Sequence, residues 1–217
     1  MSADHAAGGR RDDLPSVDRL LTLSDGVVAI ALTLLVLQLR VPALSALKAN
    51  SARDLATQLG NDGNQFITYA IAFYVIAQFW LVHHRVFRNI TGHVEGLAWL
   101  NFAFLFTISV MPFTSELLGA YGGNPLAVDI FAFNLLLASA ATQATSIYGS
   151  RNKLLTPDAD EGVLRAGLTR GTLMSAVIVA SMALAWVNTD AAKYLWLLMA
   201  LIPRAVARWM GDRAAAR

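Results

Sequence analysis

The stretch Arg19-Leu20-Leu21-Thr22-Leu23-Ser24-Asp25-Gly26-Val27-Val28-Ala29-Ile30-Ala31-Leu32-Thr33-Leu34-Leu35-Val36-Leu37 decides the fold. From Leu20 to Leu39 only Asp25 carries a charge. At 1.5 Å rise per residue such a helix reaches about 30 Å, the thickness of one hydrocarbon core. The rest of the chain agrees with that reading. Of its 217 residues 56% are hydrophobic and only 15% charged, and the mean hydropathy is +0.50. Soluble domains carry about 25% charged residues. A chain so poor in charge cannot cover a soluble globule, which excludes an ordinary cytosolic enzyme.

Further apolar runs follow at Phe66–Val82, Gly96–Ser115, Ile130–Ser150 and Gly171–Thr189. A weaker one, Tyr194–Pro203 with Ala205–Ala207, is bracketed by Lys193 and Arg204. None alternates at period two, so these are helices and not barrel strands. Between them lie a mixed loop at 40–62, a basic turn from His83 to His93, the breaker Tyr121-Gly122-Gly123-Asn124-Pro125 and a charged loop at 151–165. The expected fold class is an all-α polytopic membrane protein with six transmembrane helices. A tail at 1–18 precedes one membrane unit at 19–210, and a tail at 211–217 follows it.

The basic residues support six crossings. Six spans put thirteen of the seventeen Lys and Arg on the side of the termini and leave Arg40, Lys48, Arg53 and Lys193 opposite. That bias places both termini in the cytoplasm. Five spans would divide them nine against eight. Reading the first run as a cleaved secretory signal fails on the same ground, because it leaves five spans and the wrong charge balance. The alanine- and arginine-rich composition suits a bacterium, with the protein in its cell membrane.

Little in the chain suggests catalysis. It has no cysteine, hence no disulfide, thiolate metal site or thiol nucleophile. A net charge of +2 is no nucleic-acid footprint. No cofactor is expected, and no resident metal. His83 and His84 are adjacent, so their rings diverge by about 100° on a helix and do not easily share an ion. Thr145-Ser146-Ile147-Tyr148-Gly149 resembles a potassium-channel filter only distantly and reads as a helix end.

Asp25 lies about 9 Å along the helix from Arg19. A carboxylate at that depth needs a partner. His83 and His84 approach the same membrane surface and are candidates. Alternatively Ser24 and Asp25 cap the helix. Ile30, Leu34 and Leu37 share one helix face, with Thr33 beside them, and Val28, Leu32, Leu35 and Leu39 form an equally apolar opposite face. Periodicity alone does not say which face meets lipid.

Arg19 followed by Leu23-Ser24-Asp25-Gly26, then Ala29-Ile30 and Thr33-Leu34-Leu35-Val36-Leu37, resembles the opening of the first helix in the transmembrane protein 175 family of potassium channels. The family pattern has phenylalanine where Leu23 stands. Trp80 with His83-His84, Asn101-Phe102, Phe104-Leu105-Phe106 and Met111-Pro112-Phe113 extend the resemblance over the first three spans.

The resemblance implies a potassium-permeable homotetramer in the lipid bilayer, with the first helix of each chain lining a central pore. It implies Ile30, Leu34 and Leu37 at the constriction with Thr33 next to it. It also implies a polar network of Arg19, Ser24, Asp25, His83 and His84 holding the pore helix. A ring of aliphatic side chains offers no oxygen to a dehydrated ion, so it restricts by diameter and dewetting. A proton- or cation-coupled secondary transporter is the alternative class, and a scaffold without transport a third. Transporters usually carry several intramembrane ionisable groups or broken helices. Here Asp25 stands nearly alone, with Glu116 and Asp129 near span ends.

Overall fold

A computed structural model describes residues 16–39, 41, 51–61, 63–92, 95–157, 161–203 and 205–208. The expected N-terminal tail up to residue 15, and the C-terminal one, lie outside these residues. Seven α-helices occur among them: α1 (Val17–Leu34), α2 (Ala52–Asn61), α3 (Gly63–Arg88), α4 (Glu95–Ala120), α5 (Pro125–Arg151), α6 (Glu161–Ala185) and α7 (Thr189–Leu195). Among the described residues five helical stretches are long and apolar enough to cross a membrane: Val17–Gln38, Gln65–Arg88, Glu95–Ala120, Pro125–Arg151 and Leu164–Ala185.

Helix ends follow local chemistry. Ser16 caps α1 by accepting the Arg19 N–H, and Asn124 caps α5 by accepting the Leu126 N–H, with Pro125 in the first turn. The basic residues Arg85 and Arg88 lie in the last turn of α3 and not in a turn after it, because cations there complement the helix dipole. The region read as a mixed loop contains α2, nucleated by Ser51, whose hydroxyl accepts the Asp54 N–H. Its polar composition had hidden it. Likewise α6 starts ten residues before Gly171, since Arg165 and Arg170 lower hydropathy without breaking a helix.

The stretch expected as a sixth helix takes another form. It runs as α7, a 3-10 segment Trp196–Ala200, and helical residues 202–203 and 205–208. Pro203 has no N–H to give the carbonyl four residues back, and Leu201 N–H bonds Leu198 O in the tighter 3-10 pattern. The segment is nevertheless packed: Trp196, Met199, Ile202 and Val206 are buried. Trp196 donates to Ser181 Oγ at 2.8 Å and its ring lies 5.0 Å from that of Phe131.

The core lies where α4, α5 and α6 pack side by side, around Phe104, Ile108, Met111, Phe131, Leu135 and Ile178. At one end of the bundle, Thr91 N–H bonds Leu154 O and Thr156 N–H bonds Asn89 O, joining the α3–α4 and α5–α6 connections. Leu20 packs there with Phe87, Ile90 and Leu97, so α1 begins at this same basic end. Buried Lys193 marks the opposite end, reaching Asp190 at 2.7 Å and the Gly122 carbonyl in the α4–α5 turn at 3.3 Å. Residues 189–203 therefore run from that turn back toward Arg85 and Arg88, beside which Pro203 sits.

Candidate functional site: the first helix and its polar anchors

Helix α1 rests on α4 and α3 with Leu20, Ser24, Val28, Ala31 and Leu35 turned inward and buried. That spacing is one helix face. Ile30, Thr33, Leu34 and Leu37 lie on the other side and are exposed on the protomer, Ile30 at 61% and Leu37 at 76%. The two apolar faces that periodicity could not rank are thus separated. Val28 and Leu35 belong to the core, and the stripe from Leu23 through Ile30 to Leu37 does not.

Two polar anchors fix the rotation of α1. Near its start, Ser24 Oγ is 3.0 Å from Asn101 Oδ1, and His83 Nε2 is 2.8 Å from the same oxygen. All three residues are buried. Ser24 also reaches its own Leu20 carbonyl at 2.7 Å. Asn101 Nδ2 is buried with no partner among the described residues. Turning the amide over exchanges roles without moving atoms: Nδ2 then donates to Ser24 Oγ and His83 Nε2, and the serine proton goes to Leu20 O. In either sense Asn101 is the partner that Ser24 and His83 share. The imidazole is also held by rings, with Phe104 stacked at 4.2 Å and Phe87 at 4.5 Å. At the far end, Gln38 Nε2 donates to the Pro112 carbonyl at 2.6 Å. Fourteen residues separate Ser24 from Gln38, which ends the 3-10 segment Leu35–Gln38 that continues α1, so the anchors stand about 20 Å apart along the first span.

Asp25 points to a different side. Its Oδ1 accepts the Trp80 indole N–H at 2.7 Å. The His84 ring lies 5.6 Å from the Trp80 ring, and its Nδ1 is buried without a partner among the described residues. The two histidines therefore serve different neighbours. Arg19 is exposed, and among the described residues only its backbone N–H is bonded, to Ser16. The structure brings Ser24 and His83 together through Asn101, pairs Asp25 with Trp80, and leaves Arg19 aside. Reading the expected polar set directly would miss Asn101 and Trp80 as the connecting groups. An asparagine inside the apolar run Gly96–Ser115 was the available signal, since an amide at membrane depth requires a partner.

Five long apolar helices, the first of them anchored by buried polar contacts, define a polytopic helical membrane protein. The family profile described as endosomal/lysosomal potassium channel TMEM175 matches residues 19–112. The fold is that of a crystal structure of a lysosomal potassium-selective channel TMEM175 homolog from Chamaesiphon minutus, with a TM-score of 0.75 at 20% identity over 88% of this chain and 97% of that one. A potassium channel of Streptomyces collinus is 29% identical over 78% of this chain and 82% of its own length. A potassium channel of a Chryseobacterium species is 30% identical over 57% and 59%. The chain is thus similar to the TMEM175 channels, a non-enzymatic family, in sequence over residues 19–112 and in fold over most of its length.

One expectation is corrected here. A cell-membrane location followed from composition and charge bias alone. The family description is endosomal/lysosomal, and so are the names of the animal relatives, among them the endosomal/lysosomal proton channels of Bos taurus and Homo sapiens. This chain spans 24% and 25% of those two proteins. Charge asymmetry reports which way a chain faces and says nothing of which membrane holds it.

Proposed function

We propose that the chain forms a passive, potassium-permeable cation channel in which four copies bring α1 to a common axis. In this reading Ile30, Leu34 and Leu37 set the bore and the Thr33 hydroxyl stands next to it. One observation carries it: α1 is pinned to α4 at Ser24 and at Gln38, and it presents this stripe outward. An aliphatic stripe facing lipid would need no such control of rotation. A single helix cannot enclose a path, whereas a closed ring of copies can. Thr33 Oγ donates its proton to Ile30 O at 2.8 Å, which leaves its lone pairs free toward a cation. Residues 189–208 make the sixth crossing in broken form, which returns the chain to the basic end.

The similarity to bacterial proteins named potassium channels supports potassium as the permeant ion. A second reading, proton permeation, is supported by the proton-channel names of the animal relatives. Purified protein in liposomes tests both. A potassium gradient with a potassium ionophore absent should dissipate faster than in empty vesicles and without saturating. A pH-sensitive dye in the same vesicles reads protons. Flux that saturates and requires a proton gradient would instead favour a coupled carrier.

A further inference from the structure

At the basic end, α3, α5, α6 and Pro203 enclose a cleft of about 490 Å³. Arg85, Arg88 and Arg170 all line it, and none of its lining residues is acidic. No salt bridge reaches these three arginines among the described residues, and Arg170 Nε is buried with no hydrogen-bond partner there. Three guanidinium groups around one space repel each other, and a buried N–H without an acceptor is costly. Nothing in the proposed ion path uses them.

Below the arginines the walls turn apolar, with Phe79, Val82 and Met174. One side keeps a polar strip: Ser139 Oγ is 2.9 Å from Ser175 Oγ and 3.2 Å from Gln143 Nε2. Arg85 and Arg88 lie in the last turn of α3, at headgroup depth, and Arg170 lies about 9 Å inside the α6 span that begins at Leu164, from where a long cationic side chain reaches that level. The volume falls within the range of small-molecule sites and far exceeds that of one phosphate ion. Cations at headgroup level above an apolar wall match a phosphate ester carrying acyl chains.

We propose that this cleft binds an anionic phospholipid, its phosphate held by Arg85, Arg88 and Arg170 and its chains against Phe79, Val82 and Met174. No residue of α1 lines the site, which does not depend on the pore reading. The test is thermal unfolding of the full chain in neutral detergent with added dioctanoyl phosphatidylglycerol. Binding should raise the midpoint, and dioctanoyl phosphatidylcholine or sodium phosphate at equal concentration should not. R85Q/R170Q should weaken the phosphatidylglycerol effect at least roughly tenfold in apparent Kd, since two charge-assisted contacts are lost. R88Q, at an exposed position, supplies an independent variant should the double one fail to fold, and native mass spectrometry counts bound lipid per chain. An equal shift with sodium phosphate or phosphatidylcholine would overturn the assignment, as would an undiminished phosphatidylglycerol effect in a folded variant or no shift at all.

Discussion

Ser24 Oγ of α1 and Asn101 Oδ1 of α4 lie 3.0 Å apart in a buried part of the bundle, and His83 completes the cluster from α3. Three helices are thereby set in register by one amide. N101L should leave both Ser24 and His83 without their common partner. The expected loss is about 2–4 kcal/mol of stability, because two buried polar groups lose their shared partner. S24A should cost less, about 1 kcal/mol, since it removes one donor and leaves His83 paired. Thermal unfolding of the purified protein checks both, and equal losses would contradict a central role for Asn101.

The Asp25–Trp80 contact predicts a difference between two substitutions. D25N keeps an oxygen for the indole N–H, whereas D25A removes it. D25N should stay close to the parent in unfolding midpoint, and D25A should lose about 1 kcal/mol. Similar midpoints for both would show that the bond contributes nothing.

The two faces of α1 should respond oppositely. L35A opens a cavity in the core and should cost about 2–5 kcal/mol. I30S, on the exposed face, should unfold within about 0.5 kcal/mol of the parent protomer. In liposomes, however, it should raise ion flux by removing a dry constriction. Flux unchanged in I30S and L34S alike would take those residues out of the path.

Trp196 tests the broken last segment. W196A should cost about 3–5 kcal/mol, as expected for a fully buried large aromatic. W196F should recover most of that and lose only the Ser181 hydrogen bond. A neutral W196A would mean that residues 189–208 are not part of the cooperative fold.

The helical membrane class was legible because a run such as Leu20–Leu39 has few solutions in lipid other than a helix. Boundaries were less so. Hydropathy drops at Arg85, Arg88, Arg165 and Arg170, yet long cationic side chains reach polar ground while their helices continue. The form of the last segment was hidden because one proline, Pro203, changes the backbone bonding of the turns before it. At the site, residue types in α1 announced a polar requirement, but the partners came from tertiary packing. Asn101 stands 77 residues from Ser24, and Trp80 stands 55 from Asp25. No local spacing rule connects such pairs. Rotation of α1 was likewise set by neighbours and not by its own periodicity, since both of its faces are apolar.

The chain has no cysteine, so a single introduced thiol reports on its surroundings without interference. Oxidative cross-linking of I30C and L37C in native membranes probes whether α1 meets its own copies. The account predicts disulfide-linked species at both positions, because symmetry-related copies of each residue face one another across a narrow throat. If neither variant cross-links in folded protein, the α1 stripe does not line a shared axis, and the proposed ion path is contradicted.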